Sequence, residues 1–197
     1  MKRLLIIIIL TFSFESWTKA DDIRDFEIEG MSIGDSLLKK FSRDEIESFY
    51  KAPYYKDDLY TTIDSLEISS NNKYDYISYS YKTNDKDYIL VGLVADVDSI
   101  KSFNNNIENC YPLMVEIVNE LKTIFINSKQ KDNGVFSHPI DKSGKSIITN
   151  YSFYPNNGGN ISVSCYDYSE ETSYADSLRV GLITSNFDTW LSTIAYK

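Results

Sequence analysis

Residues 88–95 read YILVGLVA, eight residues without a charged side chain. A strand that is buried on one face alternates apolar with polar residues, whereas a short continuous apolar run indicates a strand that is covered on both faces. We therefore predict that this stretch is a central strand of a sheet, with packed structure on each side of it.

The segments around this run alternate with a period of two, which is typical of antiparallel strands joined by short turns. Residues 59–69 and 74–82 precede the run, and residues 87–97 contain it. Asn71-Asn72 and Asn84-Asp85 supply turn residues between these segments. The first half of the chain therefore predicts three antiparallel strands.

Two short helices are predicted before these strands, and a long helix is predicted after them. Asp35 and Ser36 can cap the first helix, and residues 42–45 match a capping box for the second, which ends at Pro53. Apolar residues recur at intervals of three and four over residues 107–125, the strongest helical pattern in the chain.

The second half of the chain repeats this alternation of strands and helix. Residues 127–146 are rich in Lys, Asp, Ser and Gly, and we predict that they form a connection. Strands are expected over 147–154, 160–168 and 176–184, and Asn186 can cap a final helix.

The predicted order of elements is therefore αα-βββ-α-βββ-α. Short links between consecutive strands favour an antiparallel β-sheet with helices packed on it, which is an α+β fold. Of the 197 residues, 42% are hydrophobic, which is enough apolar material for one domain with a substantial core. We assign this single domain to residues 21–197.

Residues 1–20 have the three-part layout of a secretory signal peptide. Met1-Lys2-Arg3 is a basic start, residues 4–14 are almost entirely apolar, and Thr18 and Ala20 are small residues at the positions before a cleavage site. The apolar run is roughly half as long as a membrane-spanning helix requires. We predict cleavage after Ala20 and a mature protein that is periplasmic or secreted, without a membrane anchor; the alternative is an uncleaved anchor.

The charge balance is acidic, with 29 Asp and Glu residues against 20 Lys and Arg and a net charge of −9. Removal of residues 1–20 takes away three basic residues and one acidic residue, which brings the net charge to −11. A nucleic acid favours a basic face, so no nucleic-acid partner is expected.

One histidine and two cysteines are too few for a transition-metal site, and neither a metal nor a cofactor is predicted. The expected partner is a small molecule or a protein of unknown identity, and the oligomeric state stays open.

The two cysteines gain a meaning from export. Cys110 lies on the apolar stripe of the long helix, and Cys165 lies on the apolar face of a predicted strand, so both point into one core. In an oxidising compartment, a single pair of cysteines favours a disulfide. Two buried free thiols are the alternative, since cysteine packs well as a small hydrophobic residue.

Residues 34–37 read GDSL, the nucleophile motif of an esterase family in which the serine attacks an ester carbonyl. Ser36 would be the nucleophile and His138, the only histidine, would be the base. Three observations oppose this interpretation. Val135 stands where the acid of that family's Asp-x-x-His motif would be, no Gly-x-Asn-Asp motif occurs, and the predicted sheet is antiparallel whereas that family's is parallel. Helix capping by Asp35 and Ser36 explains the same four residues without a catalytic role.

Acidic spacings found in calcium loops occur at residues 141–144 and at Asp96-x-Asp98, but the remaining ligands of a full loop are missing. Ordinary turn chemistry explains both.

The 16 tyrosines are a clearer excess. Tyrosine suits surfaces that bind sugars or proteins, and it equally suits half-buried strands, the interpretation that we favour.

Four stretches together carry a resemblance to a known family: DDIRDFEIEGMSIGDSLLKKFS (21–42), ENCYPLMVEIVNEL (108–121), DKSGKS (141–146) and NISVSCYDYS (160–169). The chain resembles a family of small exported proteins from marine alphaproteobacteria of the Pelagibacter type. The resemblance spans the whole chain, including the signal peptide. It implies export and paired cysteines, and it implies no reaction.

These observations lead to one prediction of function and one alternative. We predict an exported protein with a non-catalytic binding or structural role. The alternative is a GDSL-type serine ester hydrolase that uses Ser36 and His138.

Overall fold

The computed structural model describes residues 20–51, 53–65, 74–98, 106–139 and 141–197. The predicted signal peptide, apart from Ala20, lies outside the described residues. So do the end of the strand predicted over 59–69 and the turn predicted at Asn71-Asn72.

Eight strands form one sheet in the described part of the chain. They are β1 (Tyr50–Lys51), β2 (Tyr60–Ser65), β3 (Tyr76–Lys82), β4 (Leu90–Asp98), β5 (Lys129–Ser137), β6 (Ile147–Tyr154), β7 (Asn160–Asp167) and β8 (Ser177–Ile183). Their order across the sheet is β1-β2-β3-β4-β8-β7-β6-β5, and all neighbours are antiparallel. The chain therefore forms two meanders of four strands that meet where β4 pairs with β8.

The helices complete an α+β fold. The α-helices of the described segments are α1 (Arg43–Ser48), α2 (Cys110–Ile124) and α3 (Ser185–Thr193), and short 3-10 helices cover Ile23–Asp25, Leu37–Lys39 and Ile107–Asn109. The α+β class and the central position of the strand predicted from the apolar run are confirmed, but this strand begins at Leu90, and Tyr88 and Ile89 precede it.

The predicted order of elements is corrected at three places. The first of the two helices predicted before the strands is a 3-10 helix of three residues, Leu37–Lys39, and not an α-helix. Residues 127–146, predicted as a connection, contain β5, and Tyr50, expected to lie in the second helix, belongs to β1. β5 is an edge strand that pairs only with β6 and is irregular between Asp132 and Gly134. An edge strand does not need apolar residues in alternation, so its polar sequence resembles a loop. β1 has only two residues, too few for any pattern.

The capping residues explain where the helices begin. The Ser42 side chain accepts a hydrogen bond from the Glu45 amide, and the Glu45 carboxylate accepts one from the Ser42 amide, which confirms the predicted capping box. α3 begins two residues earlier than the predicted cap at Asn186 would place it. Thr184 is its N-cap and accepts a hydrogen bond from the Phe187 amide at 3.3 Å.

One face of the sheet, called here the apolar face, carries the main core. A single level of cross-strand neighbours on this face runs through Ile63, Tyr79, Leu93, Leu182, Ile161 and Phe153, each 1% exposed or less. Helix α2 covers this level with Met114, Val118 and Leu121. The N-terminal segment adds Ile23, Phe26, Leu37 and Phe41 to the same core.

The two cysteines join α2 to the sheet. Cys110 and Cys165 are disulfide-bonded with their Cα atoms 6.1 Å apart, and both side chains are buried. This bond confirms the predicted pairing. Cys110 begins α2 and Cys165 lies on the apolar face of β7, so the bond joins the helix to the sheet.

The opposite face, called here the polar face, is covered at one end by α3. Phe187 and Trp190 pack with Tyr60 in a second, smaller cluster. A Cβ atom on Gly92 would lie 2.7 Å from the Phe187 ring, so only glycine permits this contact between β4 and α3. α2 and α3 therefore lie on opposite faces of the sheet.

Ala20, the first described residue, is part of the fold. It is 6% exposed, and its amide donates a hydrogen bond to the Ile124 carbonyl at the end of α2. Among the described residues, no helix has the length and apolar character needed to cross a membrane.

Candidate functional site

The structure places Ser36 in a cap. Its Oγ donates a hydrogen bond to the Asp87 carbonyl at 2.5 Å and accepts one from the Leu38 amide at 3.2 Å. Asp35 is paired with Lys39, and the hydrogen bond from Lys39 holds the pKa of the Asp35 carboxyl below its ordinary value. The GDSL residues thus form a capped turn before the Leu37–Lys39 helix.

His138 lies at the far end of the sheet from Ser36. Ser36 forms a bridge with Ile89, at the start of β4, whereas the His138 ring centroid is 5.9 Å from that of Tyr166, which lies level with the other end of β4. At about 3.3 Å per strand residue, these positions are on the order of 20–30 Å apart. The structure does not bring the predicted nucleophile and base together.

The acidic residues considered as calcium ligands make other contacts. Asp141 accepts hydrogen bonds from the Ser143 amide and from the amide and hydroxyl of Ser146, which lower the pKa of its carboxyl. Asp96 is paired with Arg179. The described residues contain no group of three or more His, Cys, Asp or Glu side chains arranged for a metal ion.

The pair of Asp96 and Arg179 is the most unusual feature of the polar face. Asp96 is 1% exposed, and its Oδ2 accepts hydrogen bonds from Arg179 Nε and, at 2.8 Å, from the Tyr76 hydroxyl. Polar side chains are expected on a solvated sheet face, but a charged carboxylate is rarely buried at the centre of a sheet. This pair is the core of the candidate site.

The surroundings of the pair set its ionisation. Burial raises the pKa of the Asp96 carboxyl, and the nearby Arg179, Tyr76 and Ser177 offset part of that rise. Burial acts to lower the pKa of Arg179, but the charge of Asp96 together with the neighbouring Tyr166, Tyr168 and Tyr76 outweighs it, so the pKa of the guanidinium is raised. Arg179 therefore stays positively charged, and its hydrogen bond to Asp96 Oδ2 matches that charge.

Aromatic rings line the site on one side. The Arg179 guanidinium lies over the Tyr166 ring with 4.2 Å between its Cζ and the ring centroid. Tyr166 and Tyr168 are stacked at 5.8 Å, and Tyr174, 64% exposed, lies 5.2 Å from Tyr168. His138 contacts Tyr168 at 5.2 Å, and burial lowers the pKa of the His138 imidazole.

A row of amide and hydroxyl side chains continues from Arg179 to the edge of the sheet. Ser164 is the cross-strand neighbour of Arg179, and Asn150 is the neighbour of Ser164. Asn150 Nδ2 donates to Ser164 Oγ at 2.7 Å, and Asn133 Nδ2 donates to Asn150 Oδ1 at 2.5 Å. These bonds hold the row in one arrangement, which pre-orders a polar surface.

On the other side of Arg179, the site is bordered by the segment that follows β1. The Tyr54 hydroxyl donates to Asp64 Oδ2 at 2.9 Å, while the Tyr54 ring remains 52% exposed. Asp64 is the cross-strand neighbour of Ser78 and accepts a hydrogen bond from it. Ser78 lies two residues after Tyr76, whose hydroxyl donates to Asp96, so Tyr54 lies on the β2 side of the ion pair. The Arg179 surface, defined here by Tyr54, Asp96, Tyr168, Tyr174 and Arg179, is therefore rimmed by tyrosines on both sides.

A separate cavity of about 230 Å³ lies beside the N-terminus of α3, lined in part by Asp22, Arg24, Gly158 and Asn186. Arg24 is paired with Asp22 at 2.5 Å, so the two charges in the lining offset each other. The cavity is smaller than most ligand pockets. We assign no ligand to it.

The sequence contained one overlooked signal for the Arg179 surface. Strand β8 reads SLRVGLI, in which Arg179 is the only charged residue, and it is one of only four arginines in the chain. A charge within an apolar strand requires a partner. The partner could not be identified, because Asp96 lies 83 residues away in the sequence.

Comparison of the chain with models of protein families, with curated proteins and with solved structures found no match in any of the three. The functional assignment therefore rests on the geometry of the Arg179 surface.

Proposed function

We propose that this protein is an exported, non-catalytic binding protein and that its binding site is the Arg179 surface. The observation that carries the proposal is the Asp96–Arg179 pair at the centre of the polar face. A buried ion pair seldom stabilises a fold more than apolar residues of similar volume do. Its presence between tyrosine rims is better explained by recognition than by stability.

Export is supported by the predicted signal peptide over residues 1–20 and by the disulfide, which suits an oxidising compartment. The resemblance to small exported proteins of Pelagibacter-type alphaproteobacteria agrees with it. Expression of the full chain with a bacterial export system tests this part. We expect the intact mass of the mature protein to correspond to cleavage after Ala20, with the two thiols oxidised. A full-length product retained in the membrane fraction would contradict export as a free protein.

A catalytic role for Ser36 is not favoured by any contact in the site. Its hydroxyl is engaged with Asp87 and Leu38, and His138 lies beyond reach. We expect a fluorophosphonate probe to leave the mature protein unlabelled. Labelling that disappears in the Ser36→Ala variant would instead establish the esterase.

The binding function is tested by a thermal-shift screen over saccharides, amino acids, short peptides, nucleotides and divalent ions. We expect at least one class to raise the melting temperature of the mature protein. The double variant Asp96→Leu, Arg179→Met removes the pair but keeps its volume, and it is expected to keep the fold and lose the ligand-induced shift. A screen without any stabilising ligand, or a shift retained in the double variant, would overturn the assignment of the site.

A further inference from the structure

We propose, building on the binding function above, that the Arg179 surface binds a neutral saccharide. The inference concerns the chemical class of the ligand and is drawn from three properties of the surface: its charge, its hydrogen-bonding groups and the exposure of its aromatic rings.

The charge of the surface disfavours ionic ligands of either sign. Arg179 is already matched by Asp96, and Asp64 adds a second carboxylate beside Tyr54. An anionic ligand would meet these carboxylates in a protein that is acidic overall. The groups that would attract a cation are already engaged: Asp96 is paired with Arg179, Asp64 accepts hydrogen bonds from Tyr54 and Ser78, and the Tyr166 ring is covered by the Arg179 guanidinium. A neutral ligand needs none of these groups to be released.

The hydrogen-bonding groups suit hydroxyls, which donate and accept at once. The Arg179 side chain, 27% exposed, offers guanidinium donors to a ligand, whereas Asp96 and Ser164 are buried and hold Arg179 and Asn150 in place. Ser162, half-buried on the same face, makes no side-chain hydrogen bond to the described residues and is free to take part. Adjacent hydroxyls of a sugar ring supply both the acceptors and the donors that these groups need.

The aromatic rims supply apolar area of the right shape. Tyr54 and Tyr174 are 52% and 64% exposed, and each presents a flat ring with a hydroxyl at its end. The C–H groups of a pyranose ring form a flat apolar patch that packs on such a ring. An apolar peptide side chain would instead need a concave apolar pocket, and the described residues of the polar face offer polar and small side chains there.

The test uses isothermal titration of the mature protein with defined probes. The neutral probes are five-unit gluco-, manno-, galacto- and chito-oligosaccharides, the anionic probe is pentagalacturonate, and the peptide probe is pentaalanine. We expect a neutral oligosaccharide to bind, and Tyr174→Ala to weaken it by about fivefold to tenfold. Tyr174→Phe keeps the ring and should restore most of the affinity.

A matched control is available on the far edge of the sheet. Tyr50 in β1 is 62% exposed, so Tyr50→Ala removes a ring of similar exposure away from the Arg179 surface. We expect this variant to leave the affinity unchanged. Both residues are exposed, and circular dichroism with melting curves verifies that all variants fold.

The outcomes separate the two proposals. If only pentagalacturonate or pentaalanine binds, and Tyr174→Ala weakens that binding, the saccharide inference is overturned while the binding function stands. If no probe binds, the saccharide inference is overturned, and the wider thermal-shift screen decides the binding function. Equal weakening by Tyr50→Ala and Tyr174→Ala would place the saccharide elsewhere and overturn the site.

Discussion

The two faces of the sheet use the same strands for opposite purposes. On β8, Leu178 and Leu182 point into the core beneath α2, whereas Arg179 between them lies on the polar face. The apolar face holds the large buried side chains and the disulfide. Because one face supplies the stability, the other can hold a charged pair that adds little net stability. Because successive side chains of a strand point to opposite faces, the residues of the stabilising core and those of the proposed binding site lie on opposite faces of the sheet.

The largest effect is expected on the apolar face, from removal of the disulfide. Cys110→Ala with Cys165→Ala should lower the free energy of unfolding by about 4 kcal/mol, because the bond closes a long loop with a sequence separation of 55. Chemical denaturation of the variant and of the wild type measures the difference. A loss smaller than about 1 kcal/mol would show that the disulfide is not the main link between α2 and the sheet.

The next effect is expected on the polar face, from breaking the ion pair. Arg179→Met should destabilise the protein by about 3 kcal/mol, because it leaves the carboxylate of Asp96 buried without its charged partner. The double variant Asp96→Leu, Arg179→Met should recover most of this loss. If the double variant were as unstable as the single one, the pair would be a source of stability and the contrast between the faces would fail.

A smaller effect is expected at Gly92, where α3 closes one end of the polar face. Gly92→Ala should cost about 2 kcal/mol, because the added Cβ would press on the Phe187 ring at 2.7 Å. Phe187→Leu alone opens space, so combining the two changes should cost less than their sum. Thermal denaturation of the four proteins gives this coupling, and strict additivity would contradict the contact.

The smallest effect concerns Asp141, an aspartate in the loop between β5 and β6. Hydrogen bonds from Ser146 and Ser143 hold the pKa of this carboxyl below its ordinary value in the folded protein. Its stabilising contribution is therefore present above the unfolded pKa of about 4 and is lost as the pH falls below that value. Unfolding of the wild type and of Asp141→Asn should differ at pH 7 and converge towards pH 2.

Ser146→Ala provides the matching control for Asp141, because it removes one of the donors. It should reduce the same difference in stability at pH 7. Asp96 is a useful contrast, since burial shifts its pKa in the opposite direction. A constant difference between the wild type and Asp141→Asn across pH 2–7 would assign the effect to packing.

Elements with strong local patterns could be predicted from the sequence. The spacing of apolar residues in 107–125 predicted α2, and the capping box at Ser42 and Glu45 predicted the start of α1. The pairing of Cys110 with Cys165 followed from two apolar patterns and from the number of cysteines. In each of these, the decisive interactions lie within one element or admit only one partner.

β5 and the Arg179 surface could not be predicted in the same way. β5 is polar because an edge strand has one free side, and its identity as a strand depends on pairing with β6. The GDSL motif suggested a catalytic serine, whereas the structure shows that Ser36 is the N-cap of a short helix. The same local sequence is compatible with a capping serine and with a nucleophilic serine.

The sequence by itself determined the α+β class, the presence of a central strand in the apolar run, the long helix and the disulfide, because these depend on periodicity and composition along the chain. Only the tertiary structure decided which side chains meet on the polar face. Asp96 and Arg179 are 83 residues apart and become neighbours through the register of β4 and β8. That register is set by burial of the opposite face, since a slip of one residue would exchange the two faces.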